Sequence, residues 1–144
     1  MNAAVLHSAP HLSPAFVPQI APSVLVVEDE RKLRAWLVDE FRSHGVAPLS
    51  ATAGYEAIRL AAAHRPDLIL LDGLLPEMHG FEIARFIRRI DSEYRPRIVM
   101  MTAIYKHLRY RNEARLKYGI DAYIVKPLDA SVVSSLVASA KENQ

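Results

Sequence analysis

The sequence contains no cysteine. That excludes disulfide frameworks, thiolate zinc sites and cysteine nucleophiles together, and it fits a reducing compartment. No stretch approaches 18 uninterrupted apolar residues, so no membrane-spanning helix is expected. The first 27 residues hold no Lys, Arg, Asp or Glu, and their apolar patch is cut by Pro10, Pro14, Pro18 and Pro22. A secretory leader needs a basic start and an intact apolar stretch, and neither occurs here. A cytoplasmic location is the expectation. The six histidines show no metal-ligand spacing. No glycine-rich loop follows the first apolar run, which argues against a flavodoxin-like nucleotide binder with a phosphate cradle.

What remains is the balance of a globular domain: 144 residues, 51% hydrophobic and 24% charged. A chain of this length can bury enough surface to fold without a disulfide or a structural metal. Residues 1–22 read as a flexible, proline-rich tail, because proline lacks the backbone donor that a helix interior needs. No P-x-x-P pair occurs there, so a proline-rich docking motif is not expected. Residues 23–141 form the folded domain and 142–144 a short C-terminal tail.

Within 23–141, short apolar runs alternate with amphipathic patterns. Strands are expected at Ser23–Val27, Val46–Ser50, Leu68–Leu71, Ile98–Met101 and Ala122–Val125. Helices are expected at Arg31–His44, Tyr55–His64, Phe81–Ile90, about 106–118, and Ser131–Lys141. Gly45 and Gly119 stand where helices end, and Arg65-Pro66 stops another. Apolar runs without alternation imply strands covered on both faces, hence a parallel sheet with helices on each side. The fold class is α/β, an open doubly wound (βα)5 domain.

In such sheets the functional site lies outside the carboxyl ends of the strands. Those ends carry Glu28 and Asp29, Asp72, Thr102 and Lys126. Any one of them alone is an ordinary turn or cap residue; five together are a constellation. Three carboxylates offer oxygen ligands to a hard cation such as Mg²⁺, and Lys126 offers a positive charge to an anion.

These residues fall in Val-Leu-Val-Val-Glu-Asp-Glu (24–30), Leu-Ile-Leu-Leu-Asp (68–72), Leu-Pro-Glu-Met-His-Gly (75–80), Val-Met-Met-Thr-Ala (99–103) and Ala-Tyr-Ile-Val-Lys-Pro (122–127). In this order and spacing the chain resembles the receiver domain of bacterial two-component response regulators, over Val24 to Ser139. The resemblance implies a flavodoxin-like receiver fold and a stand-alone, single-domain phosphoacceptor switch. It would not be an enzyme, since it would promote only its own phosphorylation and dephosphorylation. Asp72 would take the phosphoryl group from a histidine kinase or a histidine phosphotransfer protein. Asp29, Asp72 and the Leu74 carbonyl would bind Mg²⁺, with Glu28 holding a metal-bound water. Lys126 would pair with one phosphoryl oxygen and Thr102 with another. Tyr123 would follow Thr102 inward, changing the surface formed by the helix near 106–118, the last strand and the last helix. An unknown output protein, or a second copy of the chain, would read that surface. The resemblance also implies a small Ala103 beside the site, a cis bond before Pro127, and a loop at Gly80 that needs unusual dihedrals.

Three features depart from the family pattern. His79 stands where Asp is usual, which is expected to cost a helix cap. The interval from Thr102 to Lys126 is about two residues longer than is common. Leu74 and Ile104 occupy the positions that govern water access, and both are bulky and apolar, which implies slow autodephosphorylation.

The formal charge of +2 is unevenly spread. Arg85 to Lys117 holds ten basic and three acidic residues, while the rest of the chain is acidic. Solvated helix faces are the favoured explanation over an acidic partner. Direct nucleic-acid binding is disfavoured, because no further domain-sized segment is available for it. Tyr105, Tyr110 and Tyr118 tilt the band towards a protein interface. Two further readings compete with the leading one. A receiver-like module that works without phosphate is countered by the filled site. An aspartyl-nucleophile phosphatase is countered by Leu74, which stands where such enzymes carry a second acid.

Overall fold

The computed structural model describes residues 20–103 and 117–144. The tail up to residue 19, Ile104 and nearly all of the helix expected at 106–118 lie outside the described residues. Lys117 and Tyr118 are helical and end at Gly119, whose φ is 72°.

In chain order the elements are β1 (Val24–Val27), α1 (Arg31–Ser43), β2 (Leu49–Ala51), α2 (Gly54–His64), β3 (Leu68–Asp72), α3 (Gly80–Arg88), β4 (Arg97–Thr102), β5 (Ala122–Val125) and α4 (Ala130–Glu142). All five strands are parallel, in the order β2-β1-β3-β4-β5. This is the doubly wound order of flavodoxin-like folds, with the chain reversing direction across the sheet between β1 and β3.

The central strands are buried on both sides, which explains their unbroken apolar runs. Leu25, Val27, Ile69, Leu71, Ile98 and Met100 face the layer built from α2 and α3. Their alternates Val24, Val26, Leu68, Leu70, Val99 and Met101 face α1 and α4, meeting Leu37, Phe41, Val133 and Val137. At about 1.5–3 kcal/mol for each large side chain removed from water, these two layers supply the main driving force for folding.

β2 differs from its expected span of Val46–Ser50. Val46 is buried beneath α1 and its amide closes the helix end on the Phe41 carbonyl at 3.0 Å, so the strand begins only at Leu49. Gly45 precedes it with φ 78°, a conformation that lets the chain turn off the helix. α2 ends at Arg65, a non-glycine residue in the left-handed region with φ 47°, because Pro66 blocks further helix. The Arg65 guanidinium pairs with Asp91.

Candidate functional site

Parallel pairing brings every strand's C-terminal end to one edge. Val27 pairs with Leu71, so Glu28 lies beside Asp72. Asp72 is level with Met101, and Thr102 with Val125, which leaves Lys126 just past the edge. The Lys126 amide donates to the Thr102 carbonyl at 2.8 Å, and its peptide bond to Pro127 is cis.

Glu28, Asp29 and Asp72 each present a carboxylate oxygen, and the three oxygens lie within 4.8 Å of one another. Glu28 and Asp72 are buried, at 1% and 6% exposure, whereas Asp29 faces solvent. Lys126 reaches into the group. Its Nζ lies 3.0 Å from Glu28 Oε2 and 3.5 Å from Asp72 Oδ1. Glu28 Oε1 also accepts from the Glu30 amide at 3.1 Å. Asp72 Oδ1 accepts from the Leu74 amide at 3.1 Å, and Oδ2 has no partner among the described residues.

Burial pushes the Glu28 carboxyl above its ordinary pKa, and the nearby Asp72 charge adds to this against the pull of Lys126 and the Glu30 amide. Burial alone would lower Lys126. The hydrogen bond and charge of Glu28, with the charge of Asp72, outweigh it and raise the ammonium's pKa. Lys126 is therefore a fixed cation held among carboxylates.

Two residues of this edge went unmarked in the sequence. Glu30 caps α1, its carboxylate accepting from the Lys32 and Leu33 amides at 3.2 and 2.7 Å. Arg34, one turn into α1, donates from NH1 to the Glu28 and Asp29 carbonyls at 3.0 and 3.2 Å. That guanidinium fixes the backbone from which two of the three carboxylates project. An acid just before the amphipathic run was the available signal for Glu30; Arg34 left none, because its partners are backbone carbonyls.

The loop after β3 is held by glycine, for a reason other than the expected one. Gly80 does not have a positive φ. A Cβ there would lie 2.8 Å from the Asp72 carbonyl oxygen, 2.9 Å from Gly73 Cα and 2.9 Å from Met100 Cε. Close approach, and not unusual dihedrals, requires the glycine. His79 also departs from expectation. It is the N-cap of α3, with Nδ1 accepting a long 3.5 Å bond from the Phe81 amide, and its ring stacks on Phe81 at 5.0 Å. The cap is weakened, not lost. Leu74 is 59% exposed beside Asp72. Thr102 is half-buried at the end of β4, and Tyr123, three residues before Lys126, is half-buried on β5 and packs against the α2–α3 side of the core.

The basic band is not one uniform surface. Arg88 is committed to structure: Nε and NH2 donate to the Gly119 carbonyl, NH1 to that of Pro96 at 2.7 Å, and NH2 also pairs with Asp121 at 2.8 Å. Arg85, Arg89 and Arg95 are exposed.

A family model described as the response regulator receiver domain matches residues 24–138. The chain belongs to this family. This receiver domain is similar to the transcriptional regulatory protein AfsQ1 of Streptomyces coelicolor, 34% identical over 121 residues, or 81% of this chain and 49% of AfsQ1. It is 39% identical to the response regulator ArlR of Staphylococcus aureus over 106 residues, or 74% of this chain and 46% of ArlR. The chain thus spans about half the length of these curated relatives. Among solved structures, the receiver domain of the Pseudomonas aeruginosa sensor histidine kinase PA1611 matches with a TM-score of 0.73 and 27% identity, covering 85% of this chain and 99% of that one. That structure holds a magnesium ion coordinated in its active site cleft. The chemotaxis protein CheY4 of Vibrio cholerae matches at a TM-score of 0.76 and 23% identity, covering 84% and 99%, a likeness of fold. Among the described residues of this receiver domain, no helix is long and apolar enough to cross a membrane.

Proposed function

We propose that Asp72 accepts a phosphoryl group from the phosphohistidine of a histidine kinase or a histidine phosphotransfer protein, and that the phosphorylated domain controls a protein partner. The observation that carries this reading is the divided carboxylate of Asp72. Oδ1 is held by the Leu74 amide and faces Lys126, while Oδ2 has no partner among the described residues. That oxygen forms the new O–P bond as the donor's N–P bond breaks, and the bonding pair returns to the imidazole. Lys126, already 3.5 Å from Asp72, is placed to exchange its contact with Glu28 for one with a phosphoryl oxygen.

The donor set fits Mg²⁺: three convergent carboxylates, one of them open to solvent, offer oxygen ligands and room for water. Asp29, Asp72 and the Leu74 carbonyl would hold the ion, with Glu28 acting through a water. Bound there, it would neutralise charge that opposes bringing a phosphoryl group onto a carboxylate. Arg34 holds the Glu28–Asp29 backbone in place for that binding.

Thr102 would hydrogen-bond a second phosphoryl oxygen, and Tyr123 would follow it, altering the face formed by residues near 106–118, β5 and α4. A separate protein, or a second copy of the chain, would read that face. Leu74, with Ile104, would keep the attacking water away and make the phosphoryl group long-lived. The domain would act in the cytoplasm, where kinases present phosphohistidine, and would catalyse nothing beyond its own phosphorylation cycle. A phosphatase reading is disfavoured, since exposed Leu74 supplies no acid two positions after Asp72.

The test is intact mass after incubation with acetyl phosphate and Mg²⁺, or with a phosphorylated kinase. The wild type gains the mass of one phosphoryl group and Asp72→Asn gains none. Failure of the wild type with both donors would leave the phosphate-independent reading in its place.

A further inference from the structure

At the opposite end of β4 from the acidic edge lies a cleft of about 450 Å³, lined by Arg88, Arg95, Arg97, Gly119, Asp121 and Asn143, among others. Arg97 and Thr102 are the first and last of the six residues of β4, five steps apart. At about 3.3 Å per residue the cleft is therefore about 17 Å from the phosphorylation edge. Its size is that of a small-molecule site.

The charges in the cleft do not cancel. Asp121 is occupied, accepting from Arg88 and from the Ile98 amide at 2.7 Å. Arg88 spends its donors on Asp121 and on the Gly119 and Pro96 carbonyls. The Asn143 amide is likewise committed, to the Asp67 and Arg95 carbonyls. Arg95 and Arg97 form no ion pair and their guanidiniums donate no hydrogen bond among the described residues. Arg97 Nε is moreover buried without a partner. Three guanidiniums against one carboxylate leave two positive charges, and two of the three are unused.

We propose that this cleft binds a phosphomonoester-class dianion through Arg95 and Arg97. The guanidinium fork matches phosphate oxygens in geometry, and a phosphate group near neutral pH carries the charge that the cleft lacks. The half-buried Arg88–Asp121 pair, tied to the Gly119 and Pro96 carbonyls, forms one wall of the cleft. The ligand is either free inorganic phosphate or the phosphate of a small metabolite.

The experiment is an amide ¹H–¹⁵N titration of the whole chain without divalent metal, at constant ionic strength, with inorganic phosphate and separately with a nucleoside monophosphate. Saturable shifts are expected at Arg95, Arg97, Gly119, Ile120 and Asn143, with little change near Asp72. Arg95→Gln, at an exposed position, should weaken binding about tenfold, the loss of one charge-assisted contact. Arg97→Met, which keeps the apolar stem of this half-buried residue, should do the same, with the spectrum itself showing that each variant is folded. Equal affinity for the two probes identifies free phosphate as the source, and tighter binding of the nucleotide identifies a metabolite. Shifts that fail to saturate, that persist in both variants or that centre on Lys126 would overturn the proposal. So would binding of a single-stranded DNA oligomer with none of either small probe.

Discussion

Gly80 ties the fold to the site most tightly, and replacing it with alanine tests that link. The added Cβ would meet the Asp72 carbonyl oxygen at 2.8 Å, Gly73 Cα at 2.9 Å and Met100 Cε at 2.9 Å. The methionine terminus can swing away, but two of the three contacts are backbone atoms at the end of β3. Relief requires a shift of about half an ångström in the chain that carries Asp72. Overpacking of this kind costs about 2–3 kcal/mol. For a domain of this size that lowers Tm by about 5–10 °C. The same shift displaces the Asp72 carboxylate from Lys126 and should slow phosphorylation about tenfold, since a misplacement of about 1 Å can cost about a hundredfold. Gly45→Ala is the control. Nothing lies within 4 Å of its Cβ, but its φ is 78°, so it pays only the left-handed conformation, about 1 kcal/mol. Its phosphorylation rate should not change. Thermal unfolding and time-resolved intact mass with acetyl phosphate read both effects. A Gly80→Ala variant with the wild-type Tm and rate would refute the close-approach account.

Lys126→Met removes the cation 3.0 Å from buried Glu28, and should destabilise the domain by about 2 kcal/mol near neutral pH. Because burial raises the Glu28 pKa, the cost belongs to its ionised form; it should shrink as pH falls through the folded pKa and vanish below the unfolded value. Denaturant melts across that range check this. Tyr94 donates to the Pro66 carbonyl at 2.7 Å, and burial, then the Asp67 charge, raises its phenol well above the usual range. Its contribution to stability is present below the unfolded pKa of about 10 and is lost as pH rises from there towards the folded value. In an ultraviolet titration, Tyr94→Phe should remove one tyrosine that ionises only on alkaline unfolding. Arg88→Met strips donors from the Gly119 and Pro96 carbonyls and from Asp121, which should cost about 2–4 kcal/mol by urea unfolding at unchanged slope.

The strands that build the site were legible because physics leaves them few alternatives. β1, β3, β4 and β5 lie within a residue of their expected spans, since burial on two faces demands continuous apolar runs. β2 is a three-residue edge strand with exposed Ser50, too short to declare itself, and Val46 drew it three residues early by being apolar for another reason. Glu28, Asp29, Asp72, Thr102 and Lys126 share an edge because parallel strands put all their carboxyl ends together. What escaped the sequence were contacts between elements. The hold of Arg34 on two carbonyls, the crowding at Gly80 and the Lys126–Glu28 ion pair depend on how loops approach each other in space. A reading of residue types has no access to that.

The central claim is a phosphoryl group on one carboxylate. An acyl phosphate is reduced by borohydride to an alcohol, which converts a phosphorylated aspartate to homoserine. Treatment of the phosphorylated domain, followed by peptide sequencing by mass spectrometry, should find homoserine at position 72 and aspartate intact at position 29. Homoserine at position 29, or at neither position in a chain that has gained a phosphoryl group, would contradict the assignment of Asp72.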